Sequence, residues 1–179
     1  MFADEQNLLT HARTFDIDAL AMVYDRYNAG IYRYAMRLMG DENFAEECVA
    51  DTFSRFLAAL RTGHGPKDHL QAYLYRIAHN WVTDHFRSHS HELVELDDCI
   101  HANEQDLPET QMEIRIKQTQ IRKALQSLPP DQSLVVTLKY LEGWENPEIA
   151  AALKKTVGSV KALQHRALDS LRKSLLNLE

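Results

Sequence analysis

Across residues 44–60, FAEECVADTFSRFLAAL, the apolar side chains return every three or four residues: Val49, Phe53, Phe56 and Leu60 share one side, while Glu47, Asp51, Ser54 and Arg55 fall opposite. That period belongs to an α-helix with one buried stripe. It fills most of the chain, and strand-type alternation is found nowhere. The six glycines and five prolines gather where the helical patterns break, as helix-ending residues should. The expected fold class is all-α.

Charge divides the chain further. The net value is −6, but residues 88–114 hold eight Asp or Glu and no Lys or Arg, whereas residues 115–179 hold eleven Lys or Arg against six acids. The acidic stretch also contains Pro108 and the polar run Asn103-Glu104-Gln105-Asp106. This composition reads as a linker. The expected layout is a helical domain over residues 1–87, an acidic linker over 88–114 and a second helical domain over 115–179. The linker is either a solvated tether or a phosphate mimic that lies across the basic unit when DNA is absent, lowering electrostatic binding to bulk DNA. In the second case, neutralising Glu95, Asp97 and Asp98 raises such binding.

Several function classes fall away. No apolar run reaches the length of a membrane span, and Met1-Phe2-Ala3-Asp4-Glu5 lacks the start of a signal peptide. A cytoplasmic protein with no membrane insertion of its own is expected. Cys48 and Cys99 stand far apart without C-x-x-C spacing, so both are expected as reduced thiols, Cys48 as a buried one. A glycine-rich phosphate loop and a nucleophile motif are both lacking, so neither catalysis nor a cofactor is expected. His85, His89, His91, Cys99 and His101 are close enough in sequence to suggest a metal site. Most of them fall in the linker, and no metal is assigned.

The C-terminal unit divides at clear signals. Pro129-Pro130 opens a helix with Leu134, Val135, Leu138 and Leu141 at helical spacing, which Gly143 ends. Asn146, read as an N-cap, and Pro147 open a short helix with Ile149, Ala150 and Leu153 inward. Lys154-Lys155 forms a turn, Thr156 caps the next helix, and Val160, Leu163, Ala167 and Leu171 mark its buried stripe. Short helix, tight turn and long helix make a helix-turn-helix, whose second helix enters the major groove by its N-terminal residues. Ser159, Lys161, Ala162, His165 and Arg166 point outward there. An ordinary amphipathic helix pair shares the same pattern.

Nearer the N-terminus, HLQAYLYRIAHNWVTDHFRSH interleaves Tyr73, Tyr75, Trp81 and Phe86 with Arg76, His79, Asn80, His85 and Arg87. Leu74, Ile77, Ala78 and Trp81 supply an inward face. Aromatic and basic residues on one helix suit single-stranded nucleic acid, whose bases stack on rings while phosphates meet Arg. Packing of the rings in a core is the competing fate. The preceding loop, RTGHGPKDH at residues 61–69, adds basic and imidazole side chains.

Taken together these stretches resemble the extracytoplasmic-function sigma factors of bacterial RNA polymerase. AEECVADTFSRFLAAL is similar to that family's core-polymerase-binding helix, YLYRIAHNWVTDHFR to its promoter-melting and −10-reading helix, and ALQSLPPDQSLVVTLKYLEGWENPEIAAALKKTVGSVKALQHRAL to its −35-reading domain. The resemblance spans residues 17–175. It implies a promoter-specificity subunit in which Glu47, Asp51, Ser54 and Arg55 meet the polymerase. Asn80 then reads a base flipped out of the −10 element, with Arg61, His64, Lys67, Tyr73, Arg76 and Arg87 around it. Lys155, Ser159, Lys161, Ala162, His165 and Arg166 are the implied −35 contacts. The implied partners are core RNA polymerase through its β′ and β subunits, promoter DNA and an anti-sigma factor. Two positions depart from the pattern: Tyr73 stands where tryptophan is frequent, and Leu163 where many members carry a second arginine. A sigma mimic and a stand-alone helix-turn-helix regulator are the alternative readings.

Overall fold

The computed structural model describes residues 4–89 and 109–176, all organised by helices and without a strand among them. Asp4 caps α1 (Glu5–Ala12), Asp16 caps α2 (Ile17–Met39) and Asp41 caps α3 (Glu42–Arg61), each carboxylate accepting from backbone N–H groups of the first turn. Such caps satisfy donors that have no partner within the helix. α2 stops at Gly40, which has φ +75°, a left-handed conformation that glycine adopts without a Cβ penalty. After a loop, α4 runs over Leu70–His89.

These four helices close around Leu8, Leu9, Val23, Ile31, Tyr34, Phe56, Leu70, Leu74 and Val82, all essentially inaccessible to solvent. Val49, Phe53, Phe56 and Leu60 are all buried, as their spacing in α3 requires. Each such side chain contributes about 1.5–3 kcal/mol by leaving water. The periodic stripe is therefore the main cohesive feature of this unit.

The second unit comprises α5 (Glu109–Ser127), α6 (Pro130–Val136), α7 (Asn146–Leu153) and α8 (Val157–Leu176). α6 continues into a π-helical turn over Thr137–Leu141. Leu134, Val135, Leu138, Ile149, Val160 and Ala167 form its core. Three expectations need correction. The π turn widens the helix, so Leu141 departs from the buried stripe and is 37% exposed. The residue preceding α7 in the capping position is Glu145, whose N–H donates to the Glu148 carboxylate at 2.7 Å. Helix also extends into the stretch read as linker, since α4 reaches His89 and α5 begins at Glu109; most of that stretch, including Glu95, Asp97 and Asp98, lies outside the described residues.

The two units touch. α7 lies along α4, and α5 along α2.

Candidate nucleic-acid interface

The helix-turn-helix is built by local geometry. Ile149 and Ala150 of α7 are buried against α8, and Lys154 turns the chain with φ +53°. Thr156 Oγ1 then accepts from the Ser159 N–H at 3.2 Å and starts α8. Gln164 Nε2 donates to Asn146 Oδ1 at 2.7 Å and fixes the two helices relative to each other. Asn146 thus acts across the motif and not as a cap. Val160, Leu163 and Ala167 are buried and Leu171 is half-buried, which leaves Ser159, Lys161, Ala162, His165 and Arg166 all exposed on the other side. Leu163 faces the core, so an arginine there would have to leave that stripe. His165 Nδ1 lies 3.4 Å from Asp169, and Arg166 Nε donates to the Ala162 carbonyl at 3.3 Å. Lys155 Nζ is 3.1 Å from Asp131.

On α4, Tyr73, Arg76, Asn80 and Arg87 share a face by their spacing. Asn80 and Arg87 are exposed, and Tyr73 and Arg76 are half-buried. Tyr73 sets its ring edge toward Phe56 at 6.4 Å. In the loop between α3 and α4, Arg61, His64 and Lys67 are exposed, and Gln6 Nε2 donates to the Lys67 carbonyl at 3.0 Å, tying the loop to α1. Core packing takes up the aromatics of α4, with Tyr73, Trp81 and Phe86 half-buried against the buried cluster. Tyr75 is buried in the core. Trp81 stacks on His85 with ring centroids 5.1 Å apart, both half-buried.

His79, which the sequence groups with the basic residues of α4, is only 3% exposed. Pro130 O only accepts, so His79 Nε2 carries the proton and donates to it at 2.8 Å, while Nδ1 accepts from the Tyr34 hydroxyl at 2.6 Å. Burial pushes its pKa down to about 4. It is a neutral structural group.

On α3, Glu47, Ser54 and Arg55 are exposed and Asp51 is half-buried. Arg55 Nε pairs with Asp51 Oδ2 at 2.6 Å. Beside this face the sequence reading missed a groove of about 530 Å³ between α2 and α3, lined by Tyr24, Asn28, Tyr32, Arg33, Glu46 and Val49. Exposed Tyr24, its ring 4.8 Å from that of Phe53, is a signal that α2 carries more than core. Cys48 points inward from α3, where its thiol donates to the Ala78 carbonyl at 3.8 Å and burial raises its pKa to about 12. Among the described residues no cluster of His, Cys, Asp or Glu forms a metal site; His91, Cys99 and His101 lie outside them. No described helix is long and apolar enough to cross a membrane.

Two helical units, one with a helix-turn-helix and the other with a polar, aromatic-lined helix face, define the architecture of the sigma-70 class. The family models agree: Sigma-70 region 2 matches residues 23–92 and Sigma-70 region 4 matches residues 118–171. The extracytoplasmic-function sigma factor SigL of Mycobacterium tuberculosis is 30% identical over 157 residues, covering 87% of this chain and 88% of SigL. BldN of Streptomyces coelicolor is 32% identical over 170 residues, which are 94% of this chain and 64% of BldN. The chain belongs to the extracytoplasmic-function sigma factors of RNA polymerase, the subunits that confer promoter specificity. Its fold is also that of CnrH in its complex with the cytosolic domain of CnrY, with a TM-score of 0.68, 22% identity and 98% of each chain covered.

Proposed function

We propose that this sigma factor reads its promoter with two separate faces and meets the polymerase with a third. The carrying observation is the α8 surface, where Ser159, Lys161, Ala162, His165 and Arg166 are exposed over the first turns while the opposite stripe is buried. That exposure is what a helix needs to reach base edges in the major groove. Lys161 and Arg166 supply donors for guanine or phosphate, and Ala162 leaves room for close approach to a thymine methyl. The −35 element is their target, with Lys155 at the adjoining turn.

The −10 element is read on α4 and the loop before it. Asn80 presents an exposed amide to a base freed from the duplex, and Arg61, His64, Lys67, Arg76 and Arg87 meet the strand around it, with Tyr73 beside them. The outward face of α3, carrying Glu47, Asp51, Ser54 and Arg55, contacts the β′ subunit of core polymerase. The chain acts in the cytoplasm and carries out no chemistry of its own. An anti-sigma factor that covers the polymerase-binding face is the expected regulator, in keeping with the second protein bound to CnrH.

Binding of the purified chain to core RNA polymerase tests this reading, with Asp51→Lys as the comparison. Tight binding that the variant loses supports it, and no binding by a well-folded wild-type chain overturns it. A stand-alone regulator is not favoured, because it gives the region 2 match over residues 23–92 no task.

A further inference from the structure

The loop between α3 and α4 is fixed along its backbone while its charged side chains face water. Backbone bonds hold its two ends: the His64 N–H donates to the Ala59 carbonyl at 2.9 Å, and the His69 carbonyl accepts from the Tyr73 N–H at 3.0 Å as α4 begins. At Gly65 the loop presses on the end of α3, where a Cβ would come within 2.6 Å of Leu60 Cδ2 and 3.4 Å of Leu60 Cα. Pro66 is buried, whereas Arg61, His64 and Lys67 are exposed. His69 holds φ +49°, a left-handed conformation that strains a residue with a Cβ. Such a residue persists where its surroundings over-determine it.

The hold on the middle of the loop comes from α1. Gln6 Nε2 donates to the Lys67 carbonyl at 3.0 Å, across 61 positions. The preceding residue, Glu5, accepts from the Tyr27 hydroxyl of α2 at 2.9 Å. Leu8, Leu9 and Ala12 bury the other side of α1, which packs on α2 and α4. The short helix is thus anchored independently of the loop, and the Gln6 amide reaches the loop from a fixed place. Gln6 itself is exposed. Water would satisfy its amide equally well, so the bond serves the position of the Lys67 backbone and not the burial of a polar group.

A loop that reads bases needs its donors held to within about 0.5 Å of the productive geometry. Lys67 and His64 stand on the stretch that Gln6 pins, beside the face that carries Asn80. Resting on the proposed function, we propose that α1 is a strut for the −10 reading loop and that Gln6 is its positioning residue. By holding the Lys67 carbonyl, Gln6 aims the Lys67 and His64 side chains at the strand without touching DNA itself.

Base selection by the holoenzyme tests the proposal. Core RNA polymerase carrying the full chain is offered a pool of premelted bubble DNAs whose non-template strand is randomised, and the retained strands are sequenced. The wild type is expected to enrich one base over the other three at several positions. Gln6→Met keeps the length of the side chain and removes the donor. It is expected to lower the enrichment about two- to tenfold at one or two adjacent positions, the worth of one such hydrogen bond, with the remaining positions and the yield of holoenzyme unchanged. Gln6→Lys returns a donor and is expected to recover the wild-type profile; a ratio between bases cancels any uniform effect of its added charge. In the free chain, amide hydrogen exchange over residues 61–69 is expected to run about threefold faster in Gln6→Met, with α2 unchanged. An unchanged profile for Gln6→Met overturns the proposal. So does a loss spread equally over all positions, or a Gln6→Lys profile as blunted as that of Gln6→Met. Failure of the wild type to bind core polymerase sinks the functional reading instead, and leaves the exchange result to decide whether α1 holds the loop.

Discussion

The neutral imidazole of His79 ties protein stability to pH. Its proton is bound near the ordinary 6.5 in the unfolded chain and near 4 in the folded one. Between those values the unfolded chain holds more protons, so stability is full above about pH 6.5 and falls as pH is lowered toward 4. The groups around the ring are the Tyr34 hydroxyl, the Thr83 hydroxyl, the Pro130 carbonyl and, more remotely, Asp131, the last two offsetting part of the burial effect. Urea unfolding is expected to show a loss on the order of 2 kcal/mol between pH 7 and pH 5, a difference that His79→Gln reduces. Equal losses in both proteins would assign the pH dependence elsewhere. The neighbouring residue behaves differently. Asn80 is exposed, so Asn80→Ala is expected to change stability by less than about 0.5 kcal/mol while impairing promoter opening and sparing polymerase binding. Permanganate footprinting and a polymerase pull-down check the two halves of that expectation.

At the scale of single helices, α3 and α8 were legible because their apolar spacing is regular and each buries one stripe. Phe56, 1% exposed in the centre of that α3 stripe, is expected to cost about 3–5 kcal/mol on truncation to Ala, read from denaturant midpoints at unchanged slope. The end of α6 was less legible. A π turn leaves no signature in apolar spacing, which predicts Leu141 inward; residue type alone likewise favours Asn146 over Glu145 as the cap of α7. The tight turn before α8 carries Lys154 at φ +53°, where a Cβ is strained. Lys154→Gly is expected to raise stability by about 0.5–1 kcal/mol, seen as a higher melting temperature with the helix-turn-helix intact.

Over the whole molecule, a chain of net charge −6 carries a basic second unit. On its own it is expected to bind duplex DNA no better than about micromolar at physiological salt, the range of non-specific contacts. Under the proposed function, discrimination comes from the polymerase-bound form. Arg166→Ala is expected to lessen the slope of log affinity against log salt by about one if that side chain meets a phosphate, as fluorescence anisotropy of the holoenzyme would show. The three proposed faces, two for DNA and one for polymerase, rest on local pattern alone, since each lies on one helix or an adjoining loop. The tie of α1 to the loop was not legible. Gln6 and Lys67 are separated by 61 positions, and no spacing rule connects them; Gln6 looks like an ordinary polar residue until the loop is placed beside it. Cys48 has a practical consequence of its own. Its thiol is sealed between α3 and α4 and almost wholly protonated at neutral pH, so alkylating reagents reach it only when the N-terminal helices come apart. In a Cys99→Ser background the rate of its alkylation becomes a clock for that event, timed by the protein's own sulfur without any attached label.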